Sequence, residues 1–394
     1  MSERRGPLWL TPNVRVLSGV SLLQDAASEL LYPILPIFLT VTLGAPAAVV
    51  GLIEGVAEGV AAVTKLLAGR LADRYPRKRL IGVGFGLAAV GKVVLALASA
   101  WPVVLVARAV DRVGKGVRGA PRDALLMVDA DPAARGRIFG FHRAADTAGA
   151  VIGPAVGLGL FELLNHRLRP LLVVAVVPAV VSVLLIAAVR EDTSSRSRSG
   201  AGPRVSRLKD LPPRLRRLVL LLGLFSLVNF PDALLLLRAH DVGLSTAGVI
   251  AAYIVYNAVY AAAAFPAGAL SDRWPRHRVY AAGLAFFAVG YLGLGLTHRP
   301  ALVFVLLPLY GGFAACTDGV GKAWVASLAP PERQGSAQGL FQAVSGGGVL
   351  VAGLWAGLLW GGDGTLPLLL AGSTAAVTAV ALAVRGSSLS VTPA

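Results

Sequence analysis

The chain is divided into apolar stretches whose length suits one structural purpose, crossing a lipid bilayer. A membrane-spanning helix needs about 20 mostly apolar residues. Twelve candidates can be marked: 16–40, 47–68, 80–99, 102–125, 139–162, 170–189, 216–237, 244–268, 279–297, 301–325, 336–360 and 365–384. Backbone in hydrocarbon must satisfy its own hydrogen bonds, which leaves helices or closed barrels. Barrels need alternating strands of about 10 residues, and no such alternation is visible. The expected fold is therefore all-α and integral to the membrane. Composition agrees, with 56% hydrophobic and 15% charged residues, against about 45–50% and about 25% in soluble domains.

The formal charge of +16 invites a nucleic-acid reading, but the basic residues form short clusters between apolar runs rather than one stripe. Arg70, Arg74, Arg77, Lys78 and Arg79 sit after the second span, Arg118, Arg122, Arg135 and Arg137 around the fourth loop, and Arg273, Arg276 and Arg278 after the eighth. The segment from Arg190 to Arg217 is the densest cluster, while the opposite loops offer Arg167, Arg169, Arg238 and Arg299. The positive-inside rule then places both termini in the cytoplasm. The first apolar run contains Gln24, Asp25 and Glu29 and lacks a small-residue cleavage site, so it reads as a span rather than a signal peptide. The single cysteine, Cys316, excludes an intramolecular disulfide, and the five histidines lack metal-ligand spacing, so neither metal nor cofactor is expected.

The stretch 191–214, rich in Ser, Arg, Gly and Pro, reads as a cytoplasmic linker between a six-span half over 1–190 and another over 215–394. The halves resemble each other. Gly69-Arg70-Leu71-Ala72-Asp73-Arg74-Tyr75-Pro76-Arg77 matches Gly268-Ala269-Leu270-Ser271-Asp272-Arg273-Trp274-Pro275-Arg276 at an offset of 199, and the same offset pairs Gly136, Gly140, Ala144 and Gly149 with Gly335, Gly339, Ala343 and Gly348. Such parallel repeats imply an axis along the membrane normal. Asp111 and Asp318 match only at an offset of 207, which reads as coincidence.

The Gly69-x3-Asp73-Arg74-x2-Arg77-Lys78 loop resembles the signature of the major facilitator superfamily, with Pro76 and Pro275 where that family usually has glycine. In span 5, Gly140-x8-Gly149-x3-Gly153-Pro154-x2-Gly157 resembles the superfamily's antiporter motif, with Leu158 at its final glycine. Arg108 is similar to the family's span-4 arginine. The first span, Gln24 to Pro33, looks like that of a prokaryotic subgroup without an assigned substrate. The resemblance implies twelve helices in two pseudo-symmetric six-helix bundles, alternating access, and a small-molecule site near the midplane. It also implies a cytoplasmic latch at Gly69, Asp73, Arg74, Arg77, Asp272 and Arg273. Physically, Asp73 suits capping a helix N-terminus and pairing with arginines; a basic loop that fixes topology is the plainer alternative. The span-5 glycines equally suit close helix packing.

Several charges lie inside the spans: Asp25 and Glu29 on one helix face, Glu54 and Glu58 at the same spacing, then Lys92, Arg108, Asp111 and Arg112. Each costs roughly 2.5–3.5 kcal/mol at mid-membrane, so six or seven together cost about 15–20 kcal/mol. They must pair, protonate or face water. Structural ion pairs suit Lys92 and Glu58, while proton coupling suits Asp25, Glu29, Arg108 and Asp111, with Asp25 and Arg108 as the expected pair. The second half offers Asn229, Tyr256, Asn257 and Gln342 for substrate, or merely for packing. Arg112-Val113-Gly114-Lys115-Gly116 fails as a phosphate loop, having Ala109 and Gly116 where glycine and Ser/Thr are needed. No Gly-x-Ser-x-Gly elbow is present, so no enzyme is expected. The reading is a monomeric secondary transporter in a prokaryotic cytoplasmic membrane, exporting a small molecule against protons. An organic-anion, phosphorylated-metabolite or metal-related exporter, an amphiphilic or cationic substrate met by the acid pairs of spans 1 and 2, and a non-transporting receptor or membrane enzyme remain open.

Overall fold

The computed structural model describes residues 10–72, 75–126, 135–191, 208–329 and 334–386. Every predicted span is helical among them. The first is α1 (Pro12–Leu31), followed after a break by α2 (Leu35–Ile37) and a π-helical turn (Phe38–Thr42), and the pair bends by 41°. Pro33 and Pro36 account for the break, since each withholds a backbone donor. Next come α3 (Ala47–Ala72), α4 (Arg77–Ala96), α5 (Trp101–Leu126) and α6 (Arg135–Leu163). The sixth span is α7 (Leu168–Val174), α8 (Val176–Leu185) and a 3-10 turn (Ile186–Ala188). The seventh is again broken, α9 (Pro213–Ser226) and α10 (Asp232–Asp241), with Pro231 between them. Then follow α11 (Thr246–Arg273), α12 (Arg276–Leu296), α13 (Pro300–Leu328), α14 (Gln334–Leu358) and α15 (Thr365–Arg385).

Nine helices among the described residues are long and apolar enough to cross a membrane, or ten with the bent first pair. The spans outside that count are α5, which carries seven charged residues between Arg108 and Asp123, and the interrupted α9–α10. Caps follow ordinary chemistry. Thr11 accepts from the Val14 amide at the start of α1, which has proline in its first turn, and Ser245 accepts from the Gly248 amide at the start of α11.

The chain folds as two compact units. Among the described residues, the first holds those within Met1–Tyr32 and Val63–Ser199, and the second those within Pro33–Ala62 and Gly200–Ala394. The units thus do not coincide with the sequence halves 1–190 and 215–394, because the start of α3 packs within the second unit. Residues 192–207 of the expected linker lie outside the described residues.

In the first unit, α1 packs along α6 and α4 along α5, around a core that includes Val14, Leu17, Phe85, Leu126, Ile138 and Ile186. In the second, α11 packs along α13, α13 along α12 and α12 along α15, and α3 meets α14 glycine to glycine at Gly51 and Gly353. Valines and leucines point outward from many helices, as with Leu97, Val177, Leu224 and Val377, which is what a lipid-facing surface requires. The backbone carries the repeat as well. Gly44 and Gly243 both have positive φ and stand 199 residues apart, as do Asn165 and Gly364.

Candidate functional site

The first unit contains a polar seam between α1 and α5. On α1 the residues Ser18, Ser21, Asp25, Ser28 and Tyr32 recur at a spacing of three or four, which puts them on one face. The α5 residues Arg122, Arg118, Asp111 and Arg108 meet that face in antiparallel register. Arg122 donates from Nη1 to Ser21 Oγ at 3.1 Å. Arg118 is an electrostatic neighbour of Asp25. Lys92 of α4 donates both to Ser28 Oγ at 3.0 Å and to Asp111 Oδ1 at 3.1 Å. The Arg108 guanidinium stands 6.0 Å from the Tyr32 ring centroid. At 1.5 Å per residue, Arg108 and Arg122 are about 21 Å apart along the helix.

Packing explains how these ions are held. A side chain at Gly91 would strike the Ala107 carbonyl and the Asp111 backbone, so glycine lets α4 approach α5 closely enough for Lys92 to reach Asp111. Both partners of that pair are nearly buried, at 5% and 10% side-chain exposure. Four cations act on Asp111, namely Lys92, Arg112, Arg108 and Arg118. Arg118 also lies over Phe85 at 4.3 Å, a cation–π contact. Its Nη1 is buried with no hydrogen-bond partner among the described residues.

Asp25 and Arg108 are the pair expected from sequence, and the structure brings a further neighbour to each. Arg108 also stands over Tyr32, two turns farther along α1, and Arg118 acts on Asp25. Equal depth in a span does not fix helix rotation. Glu29 is half-buried on the same face of α1 as Asp25, and Glu58 is half-buried on α3 within the second unit.

The span-5 glycines sit against α1. Gly149 faces Leu22, Asp25 and Ala26; Gly153 faces Ala26 and Leu30; Gly157 faces Leu30. Pro154 lies inside α6. The same helix brings His142 to Ser18 at 3.2 Å, with Asp146 3.8 Å from the other ring nitrogen. His142 had been passed over as one of five scattered histidines. The polar stripe on α1 was the signal that could have drawn attention to Ser18 and what faces it.

Of the expected latch, Asp73 and Arg74 lie outside the described residues, while Gly69 and Asp272 fall near the ends of α3 and α11. Arg77 opens α4, and Arg273, which is exposed, ends α11. At the start of α4 the capping carboxylate belongs to Glu191, which accepts from the Arg77 and Lys78 amides, both at 2.9 Å. Lys78 Nζ in turn donates to the carbonyls of Ala187 and Val189. Glu191 had been read as the first residue of a free linker, because a cap so distant in sequence leaves no local mark.

In the second unit, Asp232 opens α10 at the break and accepts from the hydroxyls of Tyr256 at 3.0 Å and Tyr310 at 2.7 Å. Asn257 donates to the Tyr253 carbonyl one turn away, so its side chain is occupied within α11. Gln342 is half-buried on α14. Asn229 Oδ1 is buried and has no partner among the described residues. At the far end of α10, Arg238 is 1% exposed and donates to the carbonyls of Leu294, Gly295, Thr297 and Asp363, closing the C-terminus of α12. No group of metal-binding side chains occurs among the described residues.

A chain that is helical through its described residues, with apolar spans and ions buried along them, has the build of a multi-pass membrane protein. Comparison with known proteins defines it further. The profile of the Major Facilitator Superfamily matches residues 17–236 and 218–388, and the chain belongs to that superfamily. It is 32% identical over 358 residues to an uncharacterised transporter of this type from Methanocaldococcus jannaschii, covering 89% of each chain. It is 26% identical over 322 residues to a class G tetracycline resistance protein of Vibrio anguillarum, covering 74% of this chain and 78% of the other. The crystal structure of the nucleoside transporter NupG superposes with a TM-score of 0.77 at 14% identity, covering 94% and 98%. The protein is a transporter and not an enzyme.

Proposed function

We propose that the protein exports a small molecule in exchange for protons, by alternating access, as a monomer in the cytoplasmic membrane with both termini in the cytoplasm. The observation that carries this reading is Asp25 within the α1/α5 seam, acting on the buried Arg118. A carboxyl beside a guanidinium ionises readily, and the same carboxyl in a low-dielectric setting retains its proton. Relative movement of α1 and α5 that parts Asp25 from Arg118 is the step this reading requires. Lys92 and Asp111 hold the neighbouring part of the seam. The glycines that seat α6 on α1 behind Asp25 support the same role, as does similarity to a relative named for tetracycline resistance. The basic loops around Arg77 and Arg273, with Asp73, Arg74 and Asp272, would latch the cytoplasmic face.

The test is growth of an efflux-deficient bacterial host carrying the wild type or Asp25→Asn, over a panel of toxic amphiphiles, organic anions and metal salts. Protection by the wild type that disappears with Asp25→Asn, at equal membrane levels, is the expected result. Equal protection by both would remove Asp25 from coupling, and no protection on any compound would remove export.

A further inference from the structure

Where α4 begins and the sixth span ends, the first unit ties three helix ends into one basic corner. Asn13, at the start of α1, exchanges two hydrogen bonds with the backbone of Arg190, at 2.8 and 2.9 Å. Glu191 accepts from the amides of Arg77 and Lys78, and Lys78 Nζ donates to the carbonyls of Ala187 and Val189. The carboxylate of the corner and one of its cations are thus engaged by backbone. Arg15, Arg79 and Arg190 are exposed, and among the described residues no carboxylate pairs with any of them. This excess of positive charge lies where the helices leave the hydrocarbon, at the depth of lipid headgroups.

A shallow apolar trough leads away from the corner. Arg79, Val83, Gly86 and Val90 recur at spacings of three and four, so they share one face of α4. Val83 and Val90 are exposed, as are Val177, Val180 and Leu184 on the sixth span, which packs on α4. Between the two helices α4 presents glycine. A Cβ at Gly86 would meet nothing within 4 Å, and one at Gly82 would meet only Ile186, at 3.9 Å. From Arg79 to Val90 the helix rises about 16 Å, close to the roughly 15 Å of hydrocarbon in one leaflet.

We propose that this corner binds an anionic glycerophospholipid, its phosphate at Arg79 and Arg190 and one acyl chain in the trough between α4 and the sixth span. The planar guanidinium matches two phosphate oxygens at once. A zwitterionic headgroup carries its own ammonium beside the phosphate and gains less from added cations. A free anion gains little from exposed arginines in water, whereas a lipid also lays apolar surface into the trough. The second half does not repeat the arrangement. At the offset of 199, His277, Ala281 and Ala285 stand in place of Lys78, Gly82 and Gly86. The site uses neither the α1/α5 seam nor a gradient, so it stands apart from the export reading.

The experiment is native mass spectrometry of the purified full chain in detergent, titrated with phosphatidylglycerol or with phosphatidylcholine of the same acyl chains. The wild type is expected to retain phosphatidylglycerol more tightly. Arg79→Gln combined with Arg190→Gln should weaken its binding about 10-fold or more and abolish the preference. Arg214→Gln combined with Arg278→Gln removes two exposed arginines from the second unit and should leave the preference intact. Gly86→Leu places its side chain in open space, so the fold should survive while the filled trough weakens phosphatidylglycerol binding. No preference in the wild type, or an unchanged preference without Arg79 and Arg190, would overturn the proposal. Equal loss in the second-unit variant would do so too, by reducing the effect to net charge. Displacement of phosphatidylglycerol by inorganic phosphate at equal concentration, or unchanged affinity in Gly86→Leu, would overturn a lipid as the occupant.

Discussion

Lys92 and Asp111 in the first unit stand 199 residues before Tyr291 and Tyr310 in the second, which is the offset of the sequence repeat. Each pair joins the third and fourth helices of its half, beside a glycine at the same offset, Gly91 or Gly290, which lets the two backbones approach. The first pair is an ion pair at 3.1 Å. The second is a pair of rings with centroids 5.5 Å apart. One backbone arrangement therefore carries two chemistries. Around the ions the first unit buries Arg108, Arg112 and Arg118; around the rings the second buries Phe287, Phe313 and Tyr256. Buried ions hold together only while every charge has its partner, whereas aromatic faces tolerate loss of a hydroxyl. The first unit is thus held together here by paired charge and the second by packed rings.

The sharpest way to break this comparison is Lys92→Met. It leaves Asp111 buried beside an apolar side chain and should cost about 3–5 kcal/mol, seen as a large fall in melting temperature of the purified protein in detergent. Lys92→Met combined with Asp111→Leu should recover most of that loss. If the double variant is no better than the single one, the pair is not an isolated ion pair.

Glycine seams come next in size. Gly153→Val pushes α6 off α1 in the first unit, and Gly353→Val pushes α14 off α3 in the second; each should cost about 1–3 kcal/mol by overpacking. Only Gly153→Val displaces the helix that lies behind Asp25, so at matched expression it should reduce gradient-driven efflux more. Equal efflux by the two variants would detach the α1/α6 contact from function.

Tyr310→Phe is the counterpart of Lys92→Met in the second unit and should cost only about 1 kcal/mol, because Tyr256 still satisfies Asp232. A loss as large as that of Lys92→Met would show that the ring pair is no more tolerant than the ion pair. Glu191→Gln, which weakens the cap on α4, should cost about 1 kcal/mol or less by the same melting assay.

The smallest effect is in acid. The Thr365 hydroxyl and amide donate to Asp363, and with Arg238 nearby they hold its carboxyl below the ordinary value of 3.8. A carboxyl depressed in the folded state stabilises at pH above its unfolded value, and the contribution disappears as pH falls through the folded one. Stability of the wild type should therefore decline below about pH 4, and Asp363→Asn should remove only that small part of the decline. An identical acid limb in both proteins would exclude the contact from the pH response.

Much of this molecule was legible in its residues. The spans and the repeat follow from local hydropathy and a constant offset, while the break in the first span at Pro33 was not foreseen within the single stretch 16–40. The ions expected inside the membrane are inside the helices. What could not be read was which of them meet. Arg108 was assigned to Asp25 by depth, and its place over Tyr32 left no mark in the sequence. Tyr310 was invisible as a partner for Asp232, because 78 residues separate them. Glu191, His142 and the serines of α1 carried no motif, although the spacing of Ser18, Ser21, Asp25, Ser28 and Tyr32 on one helix face was there to be seen.

Sequence by itself determined that this chain must be helical, must cross a membrane many times and must hide charge within it. Those properties depend on each residue's own transfer free energy and on its neighbours along the chain. Tertiary structure decided that Lys92 pairs with Asp111, that Arg118 serves Asp25, that tyrosines from two helices hold Asp232, and that the start of α3 packs within the second unit. Those outcomes depend on how far each helix is rotated and how closely glycine lets it approach, and that information exists only once the helices are packed.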